Sequence, residues 1–320
     1  MYFPKSVTLC EVGLRDGLQN EKTMLTTDQK LTLFEGIKKA GFKVIELGSF
    51  THPKAIPQMA DTDALFASVG QSEGPADALQ ADGLELRALV PNLRGVQRAI
   101  ACGCKKAKLN VSASRMHNLK NLNRTPEETV AGFADCVAAA KEAGIDISGS
   151  ISMPFSSPWE GRIPVEDVDK IIEAYLAVGI TEISLSDASG MAVPTQVHEL
   201  CTHVLNKYPQ ASWWLHFHNT RGMALANITA AMDAGMTRFD SSLGGIGGCP
   251  YVPGAAGNIS SEDLVHFFDE CGIETGIDVM QVMETSRLLK QMLGREQMDS
   301  YVLKAGTNAQ LIEARKNDLV

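Results

Sequence analysis

His216 and His218 are the residues whose type and spacing point most directly to chemistry. They end the apolar segment 211–218, ASWWLHFH, whose composition is typical of a β-strand. Residues two positions apart on a strand face the same side, so the two imidazoles can converge on one ion. A single histidine would more often be a buried core residue, whereas this pair favours a metal site.

Two further residues could supply oxygen ligands to such an ion. Asp16 follows the first predicted strand, and Asn258 lies beyond the last one. Two nitrogens with hard oxygen donors suit Mg²⁺ or Mn²⁺ in octahedral geometry, whereas a zinc site would more often include cysteine. Arg15, next to Asp16, could counter a developing oxyanion or form a structural salt bridge with its neighbour.

A glycine-rich segment, residues 244–258, carries Cys249 in its middle. Glycine permits positive φ and close backbone approach, so this segment can fold over a bound molecule. From the segment alone three interpretations stay open: a phosphate-binding loop, a linker with an incidental cysteine, and a catalytic thiol.

The elements that must position these residues alternate along the chain. Short apolar segments precede longer helical patterns, which is the construction of βα units. The predicted strands are 6–12, 43–49, 84–90, 106–112, 146–152, 181–187, 211–218 and 238–243. Eight such units predict an α/β fold of the (β/α)8 TIM barrel type with extra C-terminal helices. A doubly wound sheet is the alternative, but its first turn would carry G-x-G-x-x-G, and here that turn reads GLRDGLQ.

The predicted helices and domains follow from the same pattern. Residues 26–41 predict a helix with Thr27 as its N-cap, and residues 125–144 predict one continuous helix. We expect residues 1–275 to form the catalytic barrel and residues 276–320 to form a helical extension packed on it.

Polar residues follow every predicted strand, at the end of the barrel where such enzymes carry their chemistry. Solvent exposure of the loops would explain serines at these positions. It does not readily explain an Arg-Asp pair, further acidic residues and a His-x-His pair at the same end of the barrel. The candidates for substrate contact are Arg15, Gln19, Asn92, Ser114 and Ser152.

Composition narrows the class of protein. The chain has 320 residues, 44% of them hydrophobic and 21% charged, as in globular proteins. A net charge of −9 argues against nucleic acid as a partner. No apolar run approaches the roughly 18 residues of a membrane span, and no secretory signal is visible. Seven cysteines without a disulfide pattern favour a reducing, cytoplasmic location.

The segment EVGLRDGLQNE, residues 11–21, resembles the 3-hydroxy-3-methylglutaryl-CoA lyase family of metal-dependent barrel enzymes. The resemblance continues through VIELGSF, PQMAD, PNLRG, WEGRIP, EISLSDASG, HFHNTRGMALAN and GGIGGCPYVPGAAGNISSEDL, and it covers residues 5–295. It implies a retro-Claisen cleavage of 3-hydroxy-3-methylglutaryl-CoA to acetyl-CoA and acetoacetate, as in leucine degradation and ketone-body formation. It also implies an acyl-CoA substrate, an Mg²⁺ or Mn²⁺ cofactor and a homodimer.

The resemblance further implies roles for individual residues. The divalent metal would be bound by four side chains: Asp16, His216, His218 and Asn258. Arg15 would stabilise the thioester enolate, and Cys249 would protonate the carbanion. Glu46 and Asp187 would support the metal shell and proton transfer, with Asp187 or His216 near the substrate hydroxyl. Glu262 would help to order the segment that carries the cysteine.

The sequence also departs from the family pattern. Leu14 stands where proline is usual, Asn219 where aspartate is usual, and segments 114–125 and 150–161 differ most. Because these positions surround the far end of a substrate, a different 3-hydroxyacyl-CoA such as citramalyl-CoA stays open. So do a Claisen-type synthase or aldolase, and a non-catalytic acyl-CoA-binding barrel. RDGLQNE in place of the synthases' RDGEQ favours cleavage.

Overall fold

Eight parallel strands form a closed barrel in the computed structural model, which describes residues 2–71, 83–248 and 256–317. The barrel strands are β1 (Thr8–Glu11), β2 (Val44–Ser49), β3 (Glu85–Val90), β4 (Lys106–Ser112), β5 (Asp146–Ser152), β8 (Glu182–Asp187), β9 (Ser212–Phe217) and β10 (Arg238–Ser241). A short antiparallel pair, β6 (Ser156–Ser157) and β7 (Gly161–Arg162), lies between β5 and β8 along the chain. The first strand pairs with the last, so the predicted TIM barrel is confirmed.

Helices occupy the connections and the C-terminal region. They are α1 (Thr27–Lys39), α2 (Thr62–Gln71), α3 (Leu93–Ala101), α4 (Arg115–Leu122), α5 (Pro126–Val130), α6 (Phe133–Glu142), α7 (Val165–Ala177), α8 (Pro194–Lys207), α9 (Ala224–Asp233), α10 (Ser261–Glu270), α11 (Val279–Leu293), α12 (Tyr301–Ala305) and α13 (Asn308–Asn317). In the described part of the chain, none of them is long and apolar enough to cross a membrane.

Two helices differ from the sequence-based prediction in where they begin or end. The N-cap of α1 is Thr26 and not Thr27, because Thr26 and Gln29 form a reciprocal capping box. Residues 125–144 form α5 and α6 and not one helix. The interruption lies at Ala131 and Gly132, where glycine weakens a helix interior.

Helix α11, which follows the last barrel unit, packs directly on α1. At Gly36 of α1 a Cβ atom would lie 2.6 Å from Oγ1 of Thr285 on α11, so the absence of a side chain permits this close approach. The boundary between a barrel of residues 1–275 and an extension of residues 276–320 stays a prediction.

Candidate metal centre and active site

Asp16, His216 and His218 converge at the carboxyl end of the barrel. The Nε2 atoms of the two histidines lie 3.1 Å apart, and each is 3.8 Å from Oδ2 of Asp16. All three side chains are buried, and their ligand atoms lie within 4.8 Å of one another. Two imidazole nitrogens and a carboxylate oxygen facing one point could hold a divalent cation. The predicted histidine pair and its aspartate are therefore brought together as expected.

The orientation of His216 is fixed from behind by Asp240. Oδ2 of this aspartate lies 3.1 Å from Nδ1 of His216, at the end of the ring opposite to Nε2. Burial opposes ionisation of Asp240, but Lys108 and the hydrogen bond from His216 outweigh it, so its pKa lies below the ordinary value. Because a carboxylate only accepts, the proton sits on Nδ1 and the lone pair of Nε2 faces the site.

His218 is held in its neutral form by its surroundings. Burial, followed by the neighbouring His216, lowers the pKa of His218 to about 3. At neutral pH the ring therefore carries no charge, which is the state in which an imidazole binds a metal.

Two amide side chains surround the Asp16 carboxylate. Nδ2 of Asn258 lies 2.8 Å from Oδ2 of Asp16, and Nε2 of Gln19 lies 3.0 Å from Oδ1. A backbone bridge between His218 and Asn258 places the asparagine beside the histidine pair. Its amide nitrogen faces the aspartate and also donates to the Ile246 carbonyl, so its role as an oxygen ligand stays a prediction.

Arg15 projects from a single π-helical turn, Gly13–Gly17, that directly follows β1. Its Nε and Nη2 atoms donate to Oε2 of Glu46 at 2.9 and 2.6 Å, and its Nη1 donates to Oδ1 of Asp16 at 2.5 Å. Burial opposes ionisation of Glu46, but Arg15 and then Lys108 bring its pKa below the ordinary value. The arginine is thereby fixed by two carboxylates beside the three converging side chains, so the structural salt bridge is present, and the catalytic role of Arg15 stays a prediction.

A cavity of about 790 Å³ opens above these residues. That volume is typical of a small-molecule or cofactor site. Of the predicted substrate-contact residues, Arg15, Gln19, Asn92 and Ser152 line it.

Ser114, also predicted to contact the substrate, lies outside the cavity: it is fully buried and is the N-cap of α4. Its hydroxyl accepts from the backbone N–H of His117 and donates to Glu160. A hydroxyl occupied on both sides in this way belongs to the loop architecture, and Ser114 does not line the cavity.

Asp187, at the end of β8, is engaged by the turn that follows it. Its Oδ1 accepts from the Ser189 hydroxyl and the Met191 N–H, and its Oδ2 accepts from the Ala192 N–H. Burial raises the pKa of Asp187. In this structure the carboxyl group supports the loop, and its part in proton transfer stays a prediction.

Two buried glutamates hold the turn that leads towards Cys249. Glu262 accepts from the Gly244 N–H at 2.9 Å, and Glu11 accepts from the Leu243 N–H at 3.0 Å. Burial raises the pKa of Glu262 to about 8 and that of Glu11 to about 7. Cys249 itself lies outside the described residues, but Gly248, which precedes it, lines the cavity.

The sequence analysis missed Lys108 and Asp240, which both line the cavity from inside the barrel. A signal was present, because each is a charged residue in the interior of a predicted strand, KAKLNVS and RFDSSL, in addition to the charge at the start of that strand. A charge on a buried barrel strand requires a partner, and that requirement identifies both residues as candidates.

Asp240→Asn is expected to weaken Mn²⁺ binding by about 10–100-fold, because an amide can donate to Nδ1 and so favour the wrong tautomer of His216. Titration of the metal-free protein with Mn²⁺, followed by electron paramagnetic resonance, measures this change. Glu182→Gln is the matched control, since Glu182 pairs with Arg87 and Lys106 at the other end of the barrel. Equal affinities in the two variants would contradict the role of Asp240.

Comparisons with known proteins agree with this geometry. The HMGL-like family model matches residues 6–289. The chain is 37% identical over 295 residues to hydroxymethylglutaryl-CoA lyase YngG of Bacillus subtilis, which covers 92% of this chain and 96% of that protein. It is 40% identical over 303 residues to (R)-citramalyl-CoA lyase of Chloroflexus aurantiacus, covering 94% and 95% of the two chains.

A solved structure shares the whole fold. It is that of an HMG-CoA lyase from Acinetobacter baumannii in complex with coenzyme A and 3-methylmalate. The two chains superpose with a TM-score of 0.88 at 39% identity, covering 96% of this chain and 97% of that one.

Proposed function

The chain belongs to the HMGL-like family, and from this premise we propose that it is a metal-dependent lyase that cleaves 3-hydroxy-3-methylglutaryl-CoA to acetyl-CoA and acetoacetate. The observation that carries the proposal is the convergence of Asp16, His216 and His218 beside Arg15 in one cavity. A cation site can make the hydroxyl easier to deprotonate, and a fixed positive side chain can stabilise the enolate that forms.

The reaction balances without an external reductant or oxidant. The proton leaves the 3-hydroxyl, the carbon–oxygen double bond forms, and the bond between C2 and C3 breaks. Its electron pair passes to C2 as the enolate of the thioester, and one proton added there gives acetyl-CoA. A divalent cation held by the three converging side chains would supply the positive charge that makes the hydroxyl easier to deprotonate.

Arg15 stabilises the charge that develops on the thioester oxygen. Its guanidinium is held by Glu46 on one side and by Asp16 on the other, so it needs no reorganisation when the charge appears. Cys249 supplies the final proton, which suits a thiol that stays largely protonated at neutral pH. The position of Gly248 at the cavity supports this assignment.

The acyl group is the open part of the proposal, because the relatives include an HMG-CoA lyase and a citramalyl-CoA lyase at similar identity. The cavity wall is rich in small polar side chains: Asn110, Ser150, Ser152, Ser184 and Ser186. Such a wall suits a polar acyl group of either kind. Citramalyl-CoA cleavage is therefore the second candidate.

The second product distinguishes the candidates. We expect Mg²⁺- or Mn²⁺-dependent release of acetyl-CoA with acetoacetate from 3-hydroxy-3-methylglutaryl-CoA. Preferred cleavage of citramalyl-CoA would instead give acetyl-CoA with pyruvate. Incubation of the metal-loaded protein with each thioester, and chromatography of both products, tests this. No acetyl-CoA from either thioester would contradict the proposed lyase.

A further inference from the structure

Six side chains form a closed ring that crosses the inside of the barrel. The members, in order, are Asp16, Arg15, Glu46, Lys108, Asp240 and His216, which leads back to Asp16. The successive distances between charged or polar atoms are 2.5, 2.6, 3.2, 3.9, 3.1 and 3.8 Å. Acidic and basic residue types alternate around the ring, so each carboxylate lies between two nitrogen-bearing side chains.

Lys108 is the member that joins the two halves of the ring. One half is the Arg15–Glu46 pair on the substrate side, and the other is the Asp240–His216 pair behind the metal centre. Lys108 stands on β4, and Asp240 stands on β10, four strands away on the opposite wall. The ammonium group of Lys108 therefore lies inside the barrel between two carboxylates. Glu46 pairs with Arg15 on the substrate side, and Asp240 contacts His216 behind the metal centre.

Lys108 and the two carboxylates that it joins are all buried, so each carboxylate requires a cationic partner. Glu46 is 0% exposed, Asp240 is 3% exposed and Lys108 is 4% exposed. A buried carboxylate that loses its cation is left as an uncompensated charge, which costs more than the pair contributes. Among the described residues, Glu46 also forms an ion pair with Arg15. The charged or polar partners of Asp240 there are Lys108 and the imidazole ring of His216.

We propose that Lys108 is a positioning residue of this centre, which holds Glu46 against Arg15 and Asp240 against His216 at the same time. It acts through its neighbours and not on the reacting atoms. The consequence for turnover rests on the proposed function, whereas the consequence for His216 rests only on the ring itself.

The chain supplies a matched control on the same strand. Lys106 lies two positions earlier, so its side chain also faces the barrel interior, and it is 9% exposed. It pairs with Glu182 at 3.0 Å and with Glu85 at 3.4 Å, at the amino end of the barrel. Lys106→Met removes an ion-paired lysine from the same strand without touching the ring, although its carboxylate partners are more exposed than Glu46 and Asp240.

The first test needs neither metal nor substrate. In metal-free protein labelled with ¹⁵N-histidine, Lys108→Met is expected to shift the imidazole nitrogen resonances of His216, because Asp240 loses its second partner. Lys106→Met is expected to leave them in place, and His216→Ala identifies the signals. Unchanged His216 resonances in Lys108→Met would overturn the proposal, even if the protein proved to be a lyase.

The second test separates positioning from substrate binding. Lys108→Met is expected to weaken Mn²⁺ binding about tenfold, the lower end of the range for an outer partner of a ligand. We expect kcat to fall at least about tenfold with KM little changed, since Arg15 acts on the transition state. Lys108→Arg should restore most of both, and metal affinity equal to that of Lys106→Met would contradict the role. If Lys108→Met does not fold, Lys108→Gln replaces it in both tests.

Discussion

His216→Ala is expected to weaken Mn²⁺ binding by more than about 100-fold and to reduce acetyl-CoA release at least as much, because His216 is proposed as a direct ligand and not as an outer partner. Nε2 of His216 faces both Nε2 of His218 and Oδ2 of Asp16, so its loss leaves two donors of three. The remaining pair cannot enclose a cation from three sides. Metal titration and turnover should therefore fall together.

A second histidine offers the control for this variant. His203 also contacts a carboxylate, with Nε2 3.0 Å from Oδ1 of Asp169, but it lies on α8 outside the cavity. His203→Ala is expected to keep wild-type metal affinity and turnover. An unchanged Mn²⁺ titration in His216→Ala would exclude ligation by this residue.

The charges of the ring suit a cation at this centre and, once a cation is held there, an anion beside it. Arg15 and Lys108 are positive, whereas Asp16, Glu46 and Asp240 are negative, so the five charged members sum to −1. A divalent cation changes this sum to +1. The negative sum attracts a cation, and with a divalent cation bound the centre would favour an anion such as the proposed enolate of a thioester.

The sequence was sufficient where a local rule fixes geometry. Alternation of strand and helix predicted the barrel, and strand period 2 predicted that His216 and His218 share a face. The closure of the barrel brought Asp16 beside them, because β1 pairs with β10. These inferences need no knowledge of distances across the barrel.

The sequence was insufficient where two distant segments meet. The contact between Lys108 and Asp240 joins opposite walls of the barrel, and no residue spacing along the chain predicts it. Ser114 follows β4 as expected, but it became the cap of a helix that the sequence analysis did not predict. A position at the rim therefore does not decide whether a side chain faces the cavity or the loop beneath it.

Cys249→Ala is expected to reduce turnover by about 10²–10⁴-fold, the range for loss of a general acid, and to leave Mn²⁺ affinity unchanged. The described residues before and after the cysteine are tied to the site. Nδ2 of Asn20 donates to the Gly248 carbonyl at 2.5 Å, and Asn258 donates to Asp16. The proposed metal ligands are Asp16, His216 and His218, so removal of the thiol should affect only the proposed step that adds a proton to C2.

The matched control is Cys271→Ala, because Cys271 is an exposed thiol at the end of α10. It should keep wild-type turnover and metal affinity. Wild-type turnover in Cys249→Ala would remove the thiol from the reaction and leave the proton to another group. A parallel loss of metal binding would instead place the cysteine segment in the metal centre, so the contrast with His216→Ala separates the acid from the cation site.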